Sequence, residues 1–556
     1  MEALLEPLRE LAEIEEIQNE KKKEAGLIQI TGCVGSQKTH LTCALGSDCK
    51  YKLIVTSGES KAKQMYEEYR FLKETVYLYP AKDLLFYHAD LRGKQLVSSR
   101  METIQALLLG EGCTVITTFD AFMDSLLPIE TIRERIFSLK VGDIIDFEKV
   151  QKDLTLLGYE REVQIEGPGQ FAVRGGILDV YPLTEEVPVR IELWDDEIDS
   201  IRTFDVESQR SIENLEEITI YPASEFMDEK TKRVSFLDYF PREDTLLFLE
   251  EPARLIEQGE AVEAEFIESM KKRVETGCEV SDEEAKLFAP KEIASKMNQY
   301  PGIGLSILEG KRNLFHVKKS IHLQVKGVNP YNNSFETLTR DLARLKRSGY
   351  RVILLSGSRT RAKRLAEDLR DYSLSSFYSE EMDREVQPGE IMVAYGHVDE
   401  GYEYPLLKFI VISETDIFGK KKKKKKRKTY EGQKIQSFSD LKVGDYVVHE
   451  NHGLGIYQGI EKIEVDKVAK DYMKISYADG GNLYILATQL ELIQKYASAD
   501  AKRPKLNKLG GQEWAKTKTR VRGAVKEIAK ELVELYAARQ KEEGYVYGED
   551  TIWGDR

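Results

Sequence analysis

From Gly26 onward the apolar positions gather into short runs, and each run gives way to a helical repeat. "GLIQIT" precedes a glycine-containing loop and a helix pattern, "YKLIVTSG" precedes "SKAKQMYEEYRFLKE", and "VYLYPA" and "CTVITTF" repeat the strand signal. Alternation of strand and helix predicts a parallel α/β sheet with its loops at the carboxyl ends of the strands. Ahead of it, "MEALLEPLRELAEIEEIQNEKKKEAG" has the spacing of a charged amphipathic helix.

Near residue 143 the texture changes. "REVQIEGPGQFAVRGGILDVYPLTEEVPVRIELWDDEIDSIRTFDVESQRSI" alternates apolar and polar positions, with turns at Gly167-Pro168-Gly169 and Asp195-Asp196, so a small antiparallel insertion is expected. The α/β pattern returns at "TLLFLEE" and the long helix pattern after it. A further α/β unit is announced by "ETLTRDLARLKRSGYRVILLSGSRTRAKRLAEDLRDY" and closes on "IMVAYGHVDEGYEYPLLKFIVISETDIFG". After the charged run Lys420–Lys428, "SFSDLKVGDYVVHENHGLGIYQGIEKIEVDKVAKDYMKISYADGGNLYILATQLELIQKY" reads as short strands at turn-marked spacing, the pattern of a small β-barrel. The last fifty or so residues are mostly helical, with Val521, Val525, Ile528, Leu532, Leu535 and Tyr536 on one stripe.

Composition narrows this picture. The chain has 556 residues, enough for about three to five domains, and 41% hydrophobic residues allow several cores. A net charge of -14 argues against a general nucleic-acid coat, and the Lys420–Lys428 run reads first as a solvated linker with weak, salt-sensitive DNA contact as the alternative. The five cysteines form no C-x-x-C pair, so reduced thiols in the cytoplasm are expected. No stretch approaches the ~18 apolar residues of a membrane span, and the N-terminus lacks a signal-peptide core.

The candidate chemistry centres on "GCVGSQKT", Gly32 to Thr39. It follows the phosphate-loop pattern G-x-x-x-x-G-K-[ST] except that Gln37 stands at the second glycine, while Gly32, Gly35, Lys38 and Thr39 are retained. A side chain at that point obstructs the close approach of backbone to phosphate, so nucleotide binding is weakened without being excluded. Hydrolysis also needs an acidic residue at the end of another strand to hold magnesium. The best candidates, Glu250 and Glu251, replace the usual Asp-Glu pair and displace the metal ligand by about a methylene, which can cost ~100-fold in rate. Two defects in two motifs predict no ATPase activity and no catalytic residue. "WDDEID" reads as a solvated hairpin turn before a metal site, and His449 and His452 lack further ligands, so no metal site is expected.

Taken together, "GCVGSQKT", "DLLFYHADL", "LGYEREVQIEGPGQFAVRGGILDVYP", "IELWDDEIDSIRTFDVESQRSI", "VGDYVVHENHGLGIYQGI", "ISYADGGNLYILATQLELI" and "LGGQEWAKTKTRVRGAVKEIAKELVELYAARQ" resemble, in this order, the first half of bacterial transcription-repair coupling factors, the Mfd family. The resemblance implies an α/β multidomain chain. A degenerate RecA/P-loop-like UvrB-homology module would occupy 1–142 and 229–330, interrupted by a small α+β UvrA-binding insertion at 143–228. A further α/β domain at 331–418, a Lys-rich linker at 419–436, an SH3/Tudor-like RNA polymerase interaction barrel of the CarD type at 437–498, and a helical lead-in at 499–556 would follow. The family's ATP- and Mg2+-dependent DNA translocase, its main DNA contact, would begin where this chain stops.

The function implied is that of an adaptor in transcription-coupled nucleotide excision repair, with UvrA and the RNA polymerase β subunit as partners and no cofactor of its own. Matching positions for UvrA are Arg161, Phe171 and Arg174. In the barrel, a strand that pairs edge-to-edge with the polymerase would use Val447, Val448, Glu450 and Asn451. The alternatives are an active UvrB-type ATPase or helicase, and a CarD-like transcription regulator.

Overall fold

The computed structural model describes residues 1–72, 74–82, 94–225, 231–275, 286–310, 314–419, 433–434, 441–449, 452–465, 468–478, 480–486, 492–496, 504–508 and 514. The chain divides into two compact units, one of residues 1–81 and 95–420, the other of residues 82–94 and 421–556.

The first unit is built on two α/β sheets, one wholly and one mainly parallel, and an insert whose strands pair mainly antiparallel. The larger sheet has the strand order Val317–His322, Gly26–Thr31, Pro301–Leu305, Thr245–Glu250, Tyr51–Thr56, Cys113–Thr118, Val76–Tyr79, and its pairings are all parallel. "YKLIVT", "CTVITT" and "TLLFLE" are buried at every position, the signature of strands covered on both faces. The expected N-terminal helix is broken into Glu2–Leu5, a 3-10 turn Glu6–Glu10 and Ala12–Glu20, because Pro7 supplies no N–H to continue the first helix.

The second α/β sheet has the order Lys326–Gly327, Tyr402–Tyr404, Phe409–Ser413, Arg351–Ser356, Ile391–Tyr395, Ser376–Ser379. Its four inner and far-edge strands run parallel, and Tyr402–Tyr404 turns back antiparallel onto Phe409–Ser413. Ser358 caps the helix Arg359–Asp371, and Ser413 with Asp416 forms a capping box on Glu414–Phe418. The two sheets share one core, in which Ile28, Ile30, Leu41 and Met65 pack with Ile353, Leu355, Tyr402, Tyr404 and Phe409.

The insert forms a six-stranded sheet ordered Ser211–Leu215, Glu197–Phe204, Val189–Trp194, Ile177–Val180, Gln170–Arg174, Glu160–Glu162. Before it, Phe137–Lys140 pairs with Glu217–Ile220, so the insert is stapled shut at its base from Phe137 on. "WDDEID" is a hairpin, with Trp194 opposite Glu197 and Asp195 at φ 59°. No group of three or more potential metal ligands occurs among the described residues.

The second unit holds a six-stranded antiparallel sheet ordered Gln433–Lys434, Ile493–Lys495, Tyr446–His449, Gly453–Val465, Val468–Ser476, Asn482–Leu486. Its core gathers Leu441, Val447, Tyr457, Met473, Ile475, Tyr477, Ile485 and Ile493. The Lys420–Lys428 run and the C-terminal apolar stripe lie outside the described residues. Among the described residues no helix is long and apolar enough to cross a membrane. Cys33, Cys43 and Cys113 are buried free thiols, each pushed up to about 12, chiefly by burial.

Candidate functional site

The loop Gly32–Ser36 leaves the strand Gly26–Thr31 and enters the helix Gln37–Leu45, the strand–loop–helix placement a phosphate loop requires. Several of its hydrogen-bonding groups are engaged within the protein. Gly32 N–H donates to the Ile307 carbonyl and Cys33 N–H to that of Ser306. Gln37 N–H and Lys38 N–H donate to Val34 and Gly35 carbonyls. The Val34 N–H goes to Gln37 Oε1 at 3.2 Å, so the residue that replaces the second glycine folds its own amide into the loop.

The charges are matched in the same way. Lys38 Nζ lies 3.2 Å from Glu250 Oε1 and 3.3 Å from Glu251 Oε1, and the Lys38 and Glu250 side chains are only 5% and 6% exposed. Glu251, at φ 50°, also accepts the Ile307 N–H. The two glutamates expected at a magnesium position are therefore the counter-ions of the loop lysine. Thr39, the residue that would reach magnesium, donates instead to Glu68 Oε2 at 2.5 Å, and Ser36 Oγ donates to Glu68 Oε1 at 2.7 Å.

Glu68, on the helix Glu59–Phe71 and 1% exposed, was not singled out by sequence. Its signal was present, because it shares the buried stripe of Ala62, Met65 and Tyr69 where an acidic residue needs donors. With Lys38 neutralised and both hydroxyls committed to a buried carboxylate, the residues present do not fit a nucleotide triphosphate and its metal.

In the insert, Arg161 is exposed within the edge strand Glu160–Glu162. Arg174 is half-exposed and donates to Asp179 Oδ2 at 3.1 Å. Asp179 is buried and is also held by Arg190 through two bonds of 2.7 and 2.9 Å. Phe171 departs from the expected surface role. It is 1% exposed, in the core with Leu178, Val180 and Ile191, because alternation along Gln170–Arg174 turns it inward. Val163 and Trp194 are exposed apolar residues of the same domain.

In the second unit, Val447 is fully buried and Val448 half-buried, while Glu450 and Asn451 lie outside the described residues. The strand Tyr446–His449 is not an edge. It pairs with Gly453–Val465 on one side and Ile493–Lys495 on the other, so its backbone has no free side for strand addition. Among the described residues the outermost strands of this sheet are Gln433–Lys434 and Asn482–Leu486. The His449 and His452 rings lie tilted at 42° to each other with centroids 4.9 Å apart, and His449 is buried.

The insert matches the model of the UvrB interaction domain at residues 137–226, and the second-unit sheet matches that of the CarD-like/TRCF RID domain at residues 441–497. This is a multidomain α/β protein that carries a UvrB-type and a CarD-type interaction domain on one chain. Over 94% of its length it is 31% identical to the transcription-repair-coupling factor of Bacillus subtilis, covering 49% of that protein. It is 30% identical to the same factor of Staphylococcus haemolyticus, covering 50% of it. It is 31% identical over 86% of its length to that of Staphylococcus aureus, covering 46%. The chain spans about half the length of the curated relatives it matches, and the resemblance drawn from its motifs, to the first half of the transcription-repair coupling factors, holds.

Proposed function

We propose that this chain is an adaptor of transcription-coupled nucleotide excision repair, joining RNA polymerase to UvrA. The observation that supports this reading most directly is the presence of the UvrB interaction domain and the CarD-like/TRCF RID domain in this order on one chain. The insert takes UvrA through Arg161 and Arg174, whose planar guanidinium groups suit paired hydrogen bonds to carboxylates. The 441–497 domain, an SH3/Tudor-like barrel in this reading, takes the polymerase β subunit through the outward side of Tyr446–His449, where Val448 is accessible.

The first parallel sheet acts as a RecA-like scaffold without ATPase activity and needs no cofactor. The Lys420–Lys428 run makes a weak contact with DNA, and the site of action is the cytoplasm. A paired pulldown with UvrA and an RNA polymerase β fragment, run beside an ATPase assay, tests the reading. Capture of both without turnover supports it. Turnover abolished by Lys38→Ala gives the chain instead to the ATPase reading, and capture of the polymerase alone to the CarD-like one.

A further inference from the structure

The loop that follows the strand Ile391–Tyr395 of the second α/β sheet lies against the phosphate-type loop of the first. Glu400 N–H donates to Ser36 Oγ at 3.0 Å, and Asp399 N–H donates to Glu68 Oε1 at 3.2 Å. Gly35 sits at φ 45°, a backbone conformation that disfavours a side chain. A Cβ there would stand 2.6 Å from Glu400 Oε2, so the Glu400 carboxylate occupies the approach that the glycine leaves open.

Beyond it Tyr404, fully buried, accepts from Gln37 Nε2 at 3.1 Å and lies 2.9 Å from His40 Nδ1. Tyr402 stacks on the His40 ring with centroids 5.0 Å apart. The cavity left among Ser36, Thr39, His40, Glu68, His397 and Tyr402 is about 20 Å³, room for about one water.

The N-terminal segment straps the same seam. His40 Nε2 bonds the Leu4 carbonyl at 2.6 Å, Ala3 N–H donates to Met382 O, and Arg351 meets Glu10 through bonds of 2.8 and 3.0 Å.

The geometry points to a built-in plug: the segment Gly396–Tyr404 takes the place a nucleotide would fill between the two sheets and holds them closed. The retained loop residues thereby serve docking. Gly35 admits a carboxylate of the chain itself, Ser36 accepts a backbone N–H in place of binding an anion, and Gln37 bridges the loop to Tyr404. A nucleotide-driven opening and closing is replaced by one closed state. This inference stands apart from the adaptor reading, because neither UvrA nor the polymerase enters it.

The test is hydrogen–deuterium exchange on the full chain, with a fluorescent ATP analogue titrated in parallel. In the unmodified chain, peptides covering 32–39 and 396–404 are protected and the analogue does not bind saturably. Tyr404→Phe removes the phenol bonded to Gln37 and His40 while keeping the ring. Both peptides should then lose protection together, by about tenfold or more, while the strand Arg351–Ser356 keeps its own. Glu68→Gln, which alters the carboxylate bonded to Ser36 and Asp399, should reproduce the joint loss. Loss confined to one of the two peptides, or saturable analogue binding displaced by ATP in the unmodified chain, overturns the plug.

Discussion

Lys38 and Glu250 face each other at 3.2 Å with both side chains almost wholly buried. In an ATPase a loop lysine is spent on phosphate, whereas here it neutralises the protein's own carboxylates. Lys38→Ala leaves the Glu250 charge buried without its cation, a change that costs about 3–5 kcal/mol. The expected result is a large fall in the urea midpoint. Lys38→Met combined with Glu250→Met should recover most of that fall, since the more deeply buried carboxylate is then gone and Glu251 is the more exposed of the two. A single Lys38→Ala variant as stable as the parent would show that the pair is not energetically engaged.

The insert offers a clean separation of surface from core. Arg174→Ala leaves Asp179 with both bonds from Arg190, so stability should change by less than about 1 kcal/mol while UvrA capture weakens. Arg161→Ala, at an exposed position, should behave alike. Phe171→Ala empties a packed site among Leu178, Val180 and Ile191 and should cost about 3–5 kcal/mol. Thermal melts beside UvrA pulldowns distinguish the two classes. A Phe171→Ala chain with parental melting and lost capture would return that residue to the interface.

Much of this was legible from local pattern. The strands "GLIQIT", "YKLIVT" and "TLLFLE" announce a parallel sheet because burial on both faces leaves an unbroken apolar run. The loop at Gly32 and the hairpin at Asp195-Asp196 are written in turn and motif residues. What was not legible depends on chain brought from far away. Gln37 meets Tyr404 across 367 positions, and nothing around "GYEYP" signals that its tyrosines close over a loop of another sheet. Likewise "DYVVHENHGLG" has the look of a free strand until Ile493–Lys495 is found paired along its other side. Phe171 was misplaced for a simpler reason. Alternation gives two faces, and only the packed structure says which of them is inside.

The same alternation yields a paired prediction in the second unit. Val447 and Val448 are adjacent, one pointing into the core with Tyr457 and Ile475 and the other outward. Val447→Asp places an unpaired carboxylate in that core and should unfold the 441–497 domain, seen as lost protection of its strands in hydrogen exchange. Val448→Asp should leave the protection intact and reduce capture of the polymerase β fragment. Full capture by a folded Val448→Asp chain would move the contact to another part of the sheet, with the outermost strand Asn482–Leu486 next in line.

The seam between the two parallel sheets should also respond to acid through His40. Burial pushes its imidazole down to about 4, with the bond to the Leu4 carbonyl opposing that shift. The hydrogen-bond chain fixes the neutral form: Nε2–H donates to Leu4 O, Nδ1 accepts the Tyr404 hydroxyl proton, and the phenol oxygen accepts from Gln37. A second proton on the ring would turn Tyr404 from donor to acceptor at Nδ1 and take away the acceptor of its own hydroxyl proton. The folded value lies below the ordinary one near 6.5, so the unfolded chain takes up the proton first. The contribution to stability is complete above about pH 6.5 and declines as pH falls through the window from 6.5 to 4, the loss reaching on the order of 3 kcal/mol at the lower end. Urea unfolding of residues 1–81 and 95–420, followed between pH 7 and pH 5, should show the midpoint falling with acid. His40→Gln, whose amide does not titrate, should flatten this part of the slope even if its stability is lower throughout. Equal slopes in the two chains would mean that the ring takes its proton in the folded state as readily as in water, and that the seam is open to solvent at His40.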